Sequence, residues 1–165
     1  MQSCDVLIVG GGPAGSSCAR QLSRKGMDVM VMDKAVFPRD KVCAGWITPA
    51  VVEALQLDIG DYGLKNVIQP ISSFRTGMIN GSEVETRYPD TVSYGIRRFE
   101  LDDYLLQRSG ARLQLGQPLK WLVRDGGQWI VNDAITAPIP DTAGTPFQKV
   151  DVSGVTHLAR LDDST

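Results

Sequence analysis

The spacing of apolar and polar positions marks a strand, a helix and a second strand within the first 34 residues. Residues 5–9 form a short apolar run closed by glycines, the pattern of a parallel strand buried on both faces. From Ala14 the period becomes helical. Ala14, Cys18, Ala19 and Leu22 share one face, Arg20, Gln21, Arg24 and Lys25 take the other, and Gly26 supplies the stop. Residues 27–32 are rich in Val and Met and alternate little, so they read as a second buried strand that ends at Asp33 and Lys34.

Beyond that unit the pattern is more broken. Residues 35–48 are punctuated by Pro38 and Gly45 and lack a sustained period, which predicts an ordered loop. Residues 49–57 carry a helix signature, with Thr48 as N-cap, Pro49 at the first helical position and Val51, Val52 and Leu55 on one face. Two strand-like runs, 71–79 and 83–88, flank Asn80-Gly81, a two-residue hairpin signal. Residues 98–109 return to helix before Gly110, with Leu101 expected to pack inward. Residues 111–115, 119–124 and 128–132 then read as a meander of three short strands, the last two joined through Asp125-Gly126-Gly127. From 137 to 165 the chain turns polar and proline-punctuated, and the expectation is a weakly structured tail behind a domain spanning 1–136.

Composition narrows the function. The chain has 165 residues, 42% hydrophobic and 22% charged, enough for a real core. A formal net charge of -2 with interspersed signs offers neither a basic face for nucleic acid nor a polybasic stretch for lipid, which leaves a small-molecule substrate as the expected partner. No apolar run is long enough to span a bilayer, the N-terminal residues lack the pattern of an export signal, and a cytoplasmic location is expected. Cys4, Cys18 and Cys43 are odd in number and lack CxxC spacing, against both a disulfide framework and a zinc site. His157 is the sole histidine and stands in the polar tail, so neither a hydrolytic triad nor a metal site is expected.

The strongest motif is Gly10-Gly11-Gly12-Pro13-Ala14-Gly15, a GxGxxG that follows one expected strand and opens an expected helix. Gly10 permits the tight turn, Gly12 lets a diphosphate approach the backbone without a Cβ in the way, and Gly15 allows close helix-to-strand packing. Pro13 and Ala14 begin the helix, whose free N–H groups and positive dipole end suit a diphosphate without help from a lysine. Asp33 stands 18 residues past Gly15 at the end of the second strand, where a carboxylate accepts from the adenosine ribose. Lys34 beside a retained Asp33 fits a plain ribose better than a phosphorylated one. The fold class is therefore α/β, a Rossmann-like dinucleotide-binding domain with a parallel sheet, an antiparallel hairpin and a small β-meander.

The blocks VLIVGGGPAGSSCARQL, VMDKAVFPRDKVCAGWITP and YGIRRFELDDYLLQRSGA resemble the geranylgeranyl reductase branch of the FAD-dependent oxidoreductases. That branch is similar to the group-A flavin monooxygenases, flavin halogenases and lycopene-cyclase-like proteins. The resemblance covers about residues 4–136 and implies a Rossmann-like fold, FAD in the glycine turn, and NAD(P)H as the possible electron donor. It implies that Arg39 lies near the FAD diphosphate or ribose. Cys43 and Ala44 match a Cys-Gly-Gly turn that passes close to the flavin, with Ala44 departing from the pattern. Arg98 matches a cofactor-contacting arginine of an Arg-x-x-Phe-Asp motif in which Leu101 replaces the aromatic, and Arg97 takes that role if the register slips by one. Asp102 and Asp103 read as helix-surface or structural residues, and Cys43 as structural rather than redox-active.

The family continues past the meander into an apolar strand with a glycine-rich turn, a substrate domain and a later Gly-Asp motif, and none of these motifs follows here. The expectation is an incomplete domain, ended near Pro138 by an early stop, frame change or gene split, with a missing C-terminal half and no assignable catalytic residue. Three readings stay open. They are the FAD-binding portion of an oxidoreductase acting on a small apolar substrate, an inactive remnant that binds FAD or ADP weakly, and an NAD-binding dehydrogenase module.

Overall fold

The computed structural model describes residues 2–132 and 135–138. The expected tail from 139 onward, including His157, lies outside the described residues. Those described fall into two compact units, one formed by the chain up to Val36 together with the chain from Leu106, the other by Phe37–Leu105.

The first unit holds the expected strand–helix–strand. Strand β2 (Val6–Val9) leads through the glycine turn into α1 (Pro13–Ser23) and back to β3 (Val29–Asp33), which lies parallel to β2 with Val6 opposite Val29. On its other side β3 pairs in parallel with β9 (Arg112–Leu115), so the sheet order is β2-β3-β9. The central position explains burial. Met30, Val31 and Met32 have no exposed surface, whereas all four residues of β2, at the sheet edge, are only half-buried. The helix buries Ser16 and Ala19 against the sheet, while Ala14 and Cys18 are exposed, so the apolar face expected from the helical period is rotated. The small residues Gly15, Ser16 and Ala19 set the buried stripe, because close approach to the strands leaves no room for larger ones.

The segment expected to begin a three-stranded meander thus joins the parallel sheet instead. A strand reached through a helical crossover returns parallel, and Leu113 and Leu115 supply its apolar positions. The meander itself is β10 (Leu122–Asp125), β11 (Gln128–Val131) and β12 (Ile135–Pro138), in a sheet ordered β1-β12-β11-β10 with β1 (Gln2–Ser3) parallel to β12. Asp125 pairs with Gln128 across Gly126-Gly127, whose φ values of 51° and 81° make the two-residue turn that the sequence announced. Strand β12 runs through Pro138. Cys4, Met30, Met32, Val131, Ile135 and Ala137 form one buried cluster that joins the two sheets of this unit.

The second unit contains the three-stranded sheet β4 (Trp46–Ile47), β8 (Ser93–Ile96) and β5 (Ile68–Ile71), all antiparallel with β8 central. Helix α2 (Pro49–Ala54) is shorter than the expected 49–57. Thr48 occupies its N-cap without a side-chain hydrogen bond. A further short helix not expected from the sequence, α3 (Ile59–Gly63), is capped by the Asp58 carboxylate accepting from the Asp61 amide. Helix α4 (Arg98–Gln107) packs Leu101 and Leu105 into a cluster with Leu57, Tyr62 and Ile96. The expected hairpin forms from β6 (Ser73–Gly77) and β7 (Glu83–Arg87), but its loop has five residues, since the last pair is Gly77 with Glu83. A two-residue turn of the favoured type needs positive φ at both central positions, and here only Asn80, at 62°, has it.

Candidate functional site

In the first unit the glycine turn is built as a cradle. Gly10 has φ of 110°, a conformation that L side chains avoid, and its amide donates to the Met32 carbonyl at 2.7 Å. A Cβ on Gly15 would overlap the Gly10 carbonyl oxygen and press on Ile8, so only glycine lets the helix start this close to β2. Gly12 is the N-cap of α1 with φ of -71° and ψ of -179°, ordinary extended backbone. Its lack of a side chain is therefore not demanded by the backbone path. The cap makes no side-chain hydrogen bond, the first turn carries no acidic residue, and Pro13 stands at its start. The first-turn amides and the positive helix end are what such an N-terminus offers to an anion.

Asp33 closes the cradle. Its Oδ2 accepts from the Gly11 amide at 2.7 Å and its Oδ1 from the Ala35 amide at 2.8 Å. Each carboxylate oxygen has a second acceptor direction left over. The buried Ser16 hydroxyl donates to the Gly11 carbonyl at 2.9 Å, which fixes the peptide from the other side. Neither the Gly11–Asp33 bond nor the Ser16 brace was read from the sequence, and only the fixed spacing of turn and carboxylate hints at the first. Lys34 and Ala14 are exposed beside these groups in sequence.

The second unit gathers the other candidates around Asp102. This residue is fully buried, and its Oδ1 accepts from Arg98 Nε at 2.6 Å while Arg39 Nη1 lies 3.3 Å from Oδ2. The Arg39 guanidinium also stacks over the Phe37 ring at 4.7 Å. Arg97 instead faces outward and pairs with Glu100 at 3.2 Å, so the register brings Arg98 and not Arg97 together with Arg39. Asp102 is thus a buried structural carboxylate and not a helix-surface one. Its i,i+4 spacing from Arg98 was the available signal, whereas nothing in the sequence linked it to Arg39.

Cys43 is exposed, and its sulfur accepts from the Gly45 amide at 3.5 Å. That amide, and then the Arg98 guanidinium, hold its pKa below the ordinary thiol value. The sequence reading of Cys43 as a purely structural thiol lacked this environment. Cys4 shows the contrast, since burial pushes its thiol upward. For Arg98 itself, burial works to lower the pKa, and the Asp102 carboxylate and then the Cys43 sulfur outweigh it. Ala44 is exposed between Cys43 and Gly45.

Residues 5–69, which include the cradle, Asp33, Arg39 and Cys43, match the profile of the FAD dependent oxidoreductase family. The matched stretch is an FAD-dependent oxidoreductase domain. Its cofactor is FAD. The chain is 39% identical over 136 residues to menaquinone reductase of Mycobacterium tuberculosis (strain ATCC 25618 / H37Rv), a match that takes in 79% of this chain and 33% of that protein. It is 32% identical over 129 residues to geranylgeranyl diphosphate reductase of Rhodobacter capsulatus, covering 77% of this chain and 31% of the relative. Among solved structures, a geranylgeranyl bacteriochlorophyll reductase-like protein from Thermoplasma acidophilum superposes with a TM-score of 0.65 at 18% identity, over 84% of this chain and 38% of the other. The fold is accordingly the Rossmann-like fold of these flavoproteins. The chain spans about a third of the length of the curated relatives it matches.

Proposed function

We propose that this chain is the ADP-binding part of a flavin-dependent reductase that acts on an apolar, isoprenoid-bearing substrate, with a prenylated quinone favoured and NAD(P)H as electron donor. The observation that carries the cofactor side is the Gly11–Asp33 hydrogen bond, which sets a carboxylate beside an uncapped helix N-terminus. In this reading Gly10, Gly12, Pro13, Ala14 and Gly15 shape the diphosphate cradle and Asp33 accepts from the adenosine ribose, with Lys34 alongside. Arg39, Cys43, Ala44 and Arg98 are the further cofactor residues that the family resemblance assigns. Arg39 turns Nη1 inward to Asp102 and keeps part of its side chain exposed, which leaves its other N–H donors for an acceptor that a phosphate supplies.

Bound FAD supplies two-electron redox chemistry. The chain's own residues bind and orient its ADP end. The substrate class draws support from the menaquinone and geranylgeranyl diphosphate reductases among the relatives. Among the described residues no helix is long and apolar enough to cross a membrane. A cytoplasmic site of action belongs to the same proposal.

The test is a difference-spectrum titration of the FAD-loaded chain. A prenylated quinone should perturb the flavin bands, and geranylgeranyl diphosphate should do so less. Bands unmoved by both, with FAD firmly held, would leave the cofactor reading standing and remove the substrate class.

A further inference from the structure

Asp102 is unusual for a helix carboxylate in that it has no exposed surface, and an unpaired charge in such a place is strongly unfavourable. It is compensated twice over. Arg98 donates to one oxygen and Arg39 stands against the other, so two guanidiniums share one carboxylate and the cluster keeps one net positive charge. The Arg39 contact is an ion pair without hydrogen-bond alignment, and both Arg39 Nη1 and Asp102 Oδ2 are buried with no hydrogen-bond partner. A guanidinium has five N–H donors in a fixed fork, and Asp102 takes a hydrogen bond from only one of those on Arg98. The two arginine side chains are 18% and 25% exposed, so they are held from within by the carboxylate while part of each remains open to solvent.

We propose that Asp102 is a positioning residue, whose buried carboxylate fixes the Arg39 and Arg98 guanidiniums as an anion-binding pair and aims Arg98 at Cys43. Its consequence for FAD rests on the cofactor reading above, whereas its consequence for Cys43 does not. Two opposing effects make the proposal decidable. Removing the Asp102 charge makes the cluster more positive, which by simple attraction would tighten an anion and favour the Cys43 thiolate. Releasing Arg98 does the reverse, because the guanidinium no longer faces the sulfur. The charged groups that act on Cys43 are Arg98 and Asp102.

The experiment compares the full chain with its Asp102→Asn and Asp102→Glu variants, all freed of flavin. Iodoacetamide alkylation of Cys43 is followed against pH by peptide mass spectrometry, and FAD binding by fluorescence titration. Positioning predicts that Asp102→Asn raises the alkylation midpoint and weakens FAD about tenfold, as expected for loss of a charged hydrogen bond. Asp102→Glu should fall between it and the parent. A midpoint unchanged or lowered in Asp102→Asn overturns the proposal. A raised midpoint in a chain that never binds FAD upholds the positioning of Arg98 and removes the cofactor reading instead. Should Asp102→Asn fail to give a cooperative melt, Asp102→Glu decides alone, since the same charge one methylene further out must move both quantities, and unmoved values overturn the proposal.

Discussion

The Gly11 amide donates to the Asp33 carboxylate at 2.7 Å, which ties the glycine turn after one core strand to the acidic end of the next. The bond lies within one unit and is braced by Ser16 on the Gly11 carbonyl and by the Ala35 amide on the second Asp33 oxygen. A carboxylate so fixed keeps its remaining acceptor directions pointed without further ordering, which in the proposed reading lowers the cost of binding the ribose.

Replacing Asp33 by Asn should keep the Gly11 bond through the amide oxygen, give up the Ala35 bond because the amide nitrogen donates, and weaken FAD by roughly tenfold to a hundredfold through loss of charge-assisted bonds. A fluorescence titration reads this. Parental affinity in the variant would show that Asp33 serves the turn alone.

Gly12→Val tests the cradle itself. The φ of -71° and ψ of -179° at Gly12 are comfortable for valine, so thermal unfolding of the flavin-free chain should change little. Cofactor retention should vanish, because the side chain occupies the diphosphate's approach. Retention at the parental level would defeat the site assignment.

In the second unit Leu105 is 2% exposed within the cluster of Leu57, Tyr62, Ile96 and Leu101. Leu105→Ala should destabilise by about 2–5 kcal/mol, read as a lower urea midpoint. A change below about 0.5 kcal/mol, typical of surface sites, would contradict this packing.

Cys43 predicts a pH dependence. Its folded pKa is lowered by the Gly45 amide and then by Arg98, so folding releases a proton between the folded and unfolded values. Its contribution to stability is present above the unfolded value and is lost as pH falls through the folded one. It is small, because the thiol is exposed. Alkylation of Cys43 should accordingly have a midpoint below that of an unstructured thiol, and a midpoint at or above that value would contradict the geometry.

Much of the first unit was legible in the sequence because its signals are local. The run of residues 5–9, the glycines, the helical period and Asp33 all report on one continuous strand–helix–strand, and the structure places them accordingly. Where partners are distant in the chain, local pattern failed. Residues 112–115 look like any short strand, and only the return through α4 makes them the third member of the parallel sheet. The Asn80-Gly81 pair announced the hairpin but not its five-residue loop, since Gly81 does not adopt the positive φ that the shorter turn needs. Asp102 was read as ordinary because its burial and its contact with Arg39 depend on two segments 63 residues apart. The low-pKa setting of Cys43 was invisible for the same reason, as Arg98 reaches it from another element.

The central claim is that this chain holds FAD through the glycine cradle. Its most direct test is the flavin content of the purified chain, measured by absorbance and chromatography after heat release. FAD should be bound near one per chain after incubation with the cofactor, and none by Gly12→Val. Equal flavin content in both proteins, or a parent chain that binds NAD and no flavin, would contradict it.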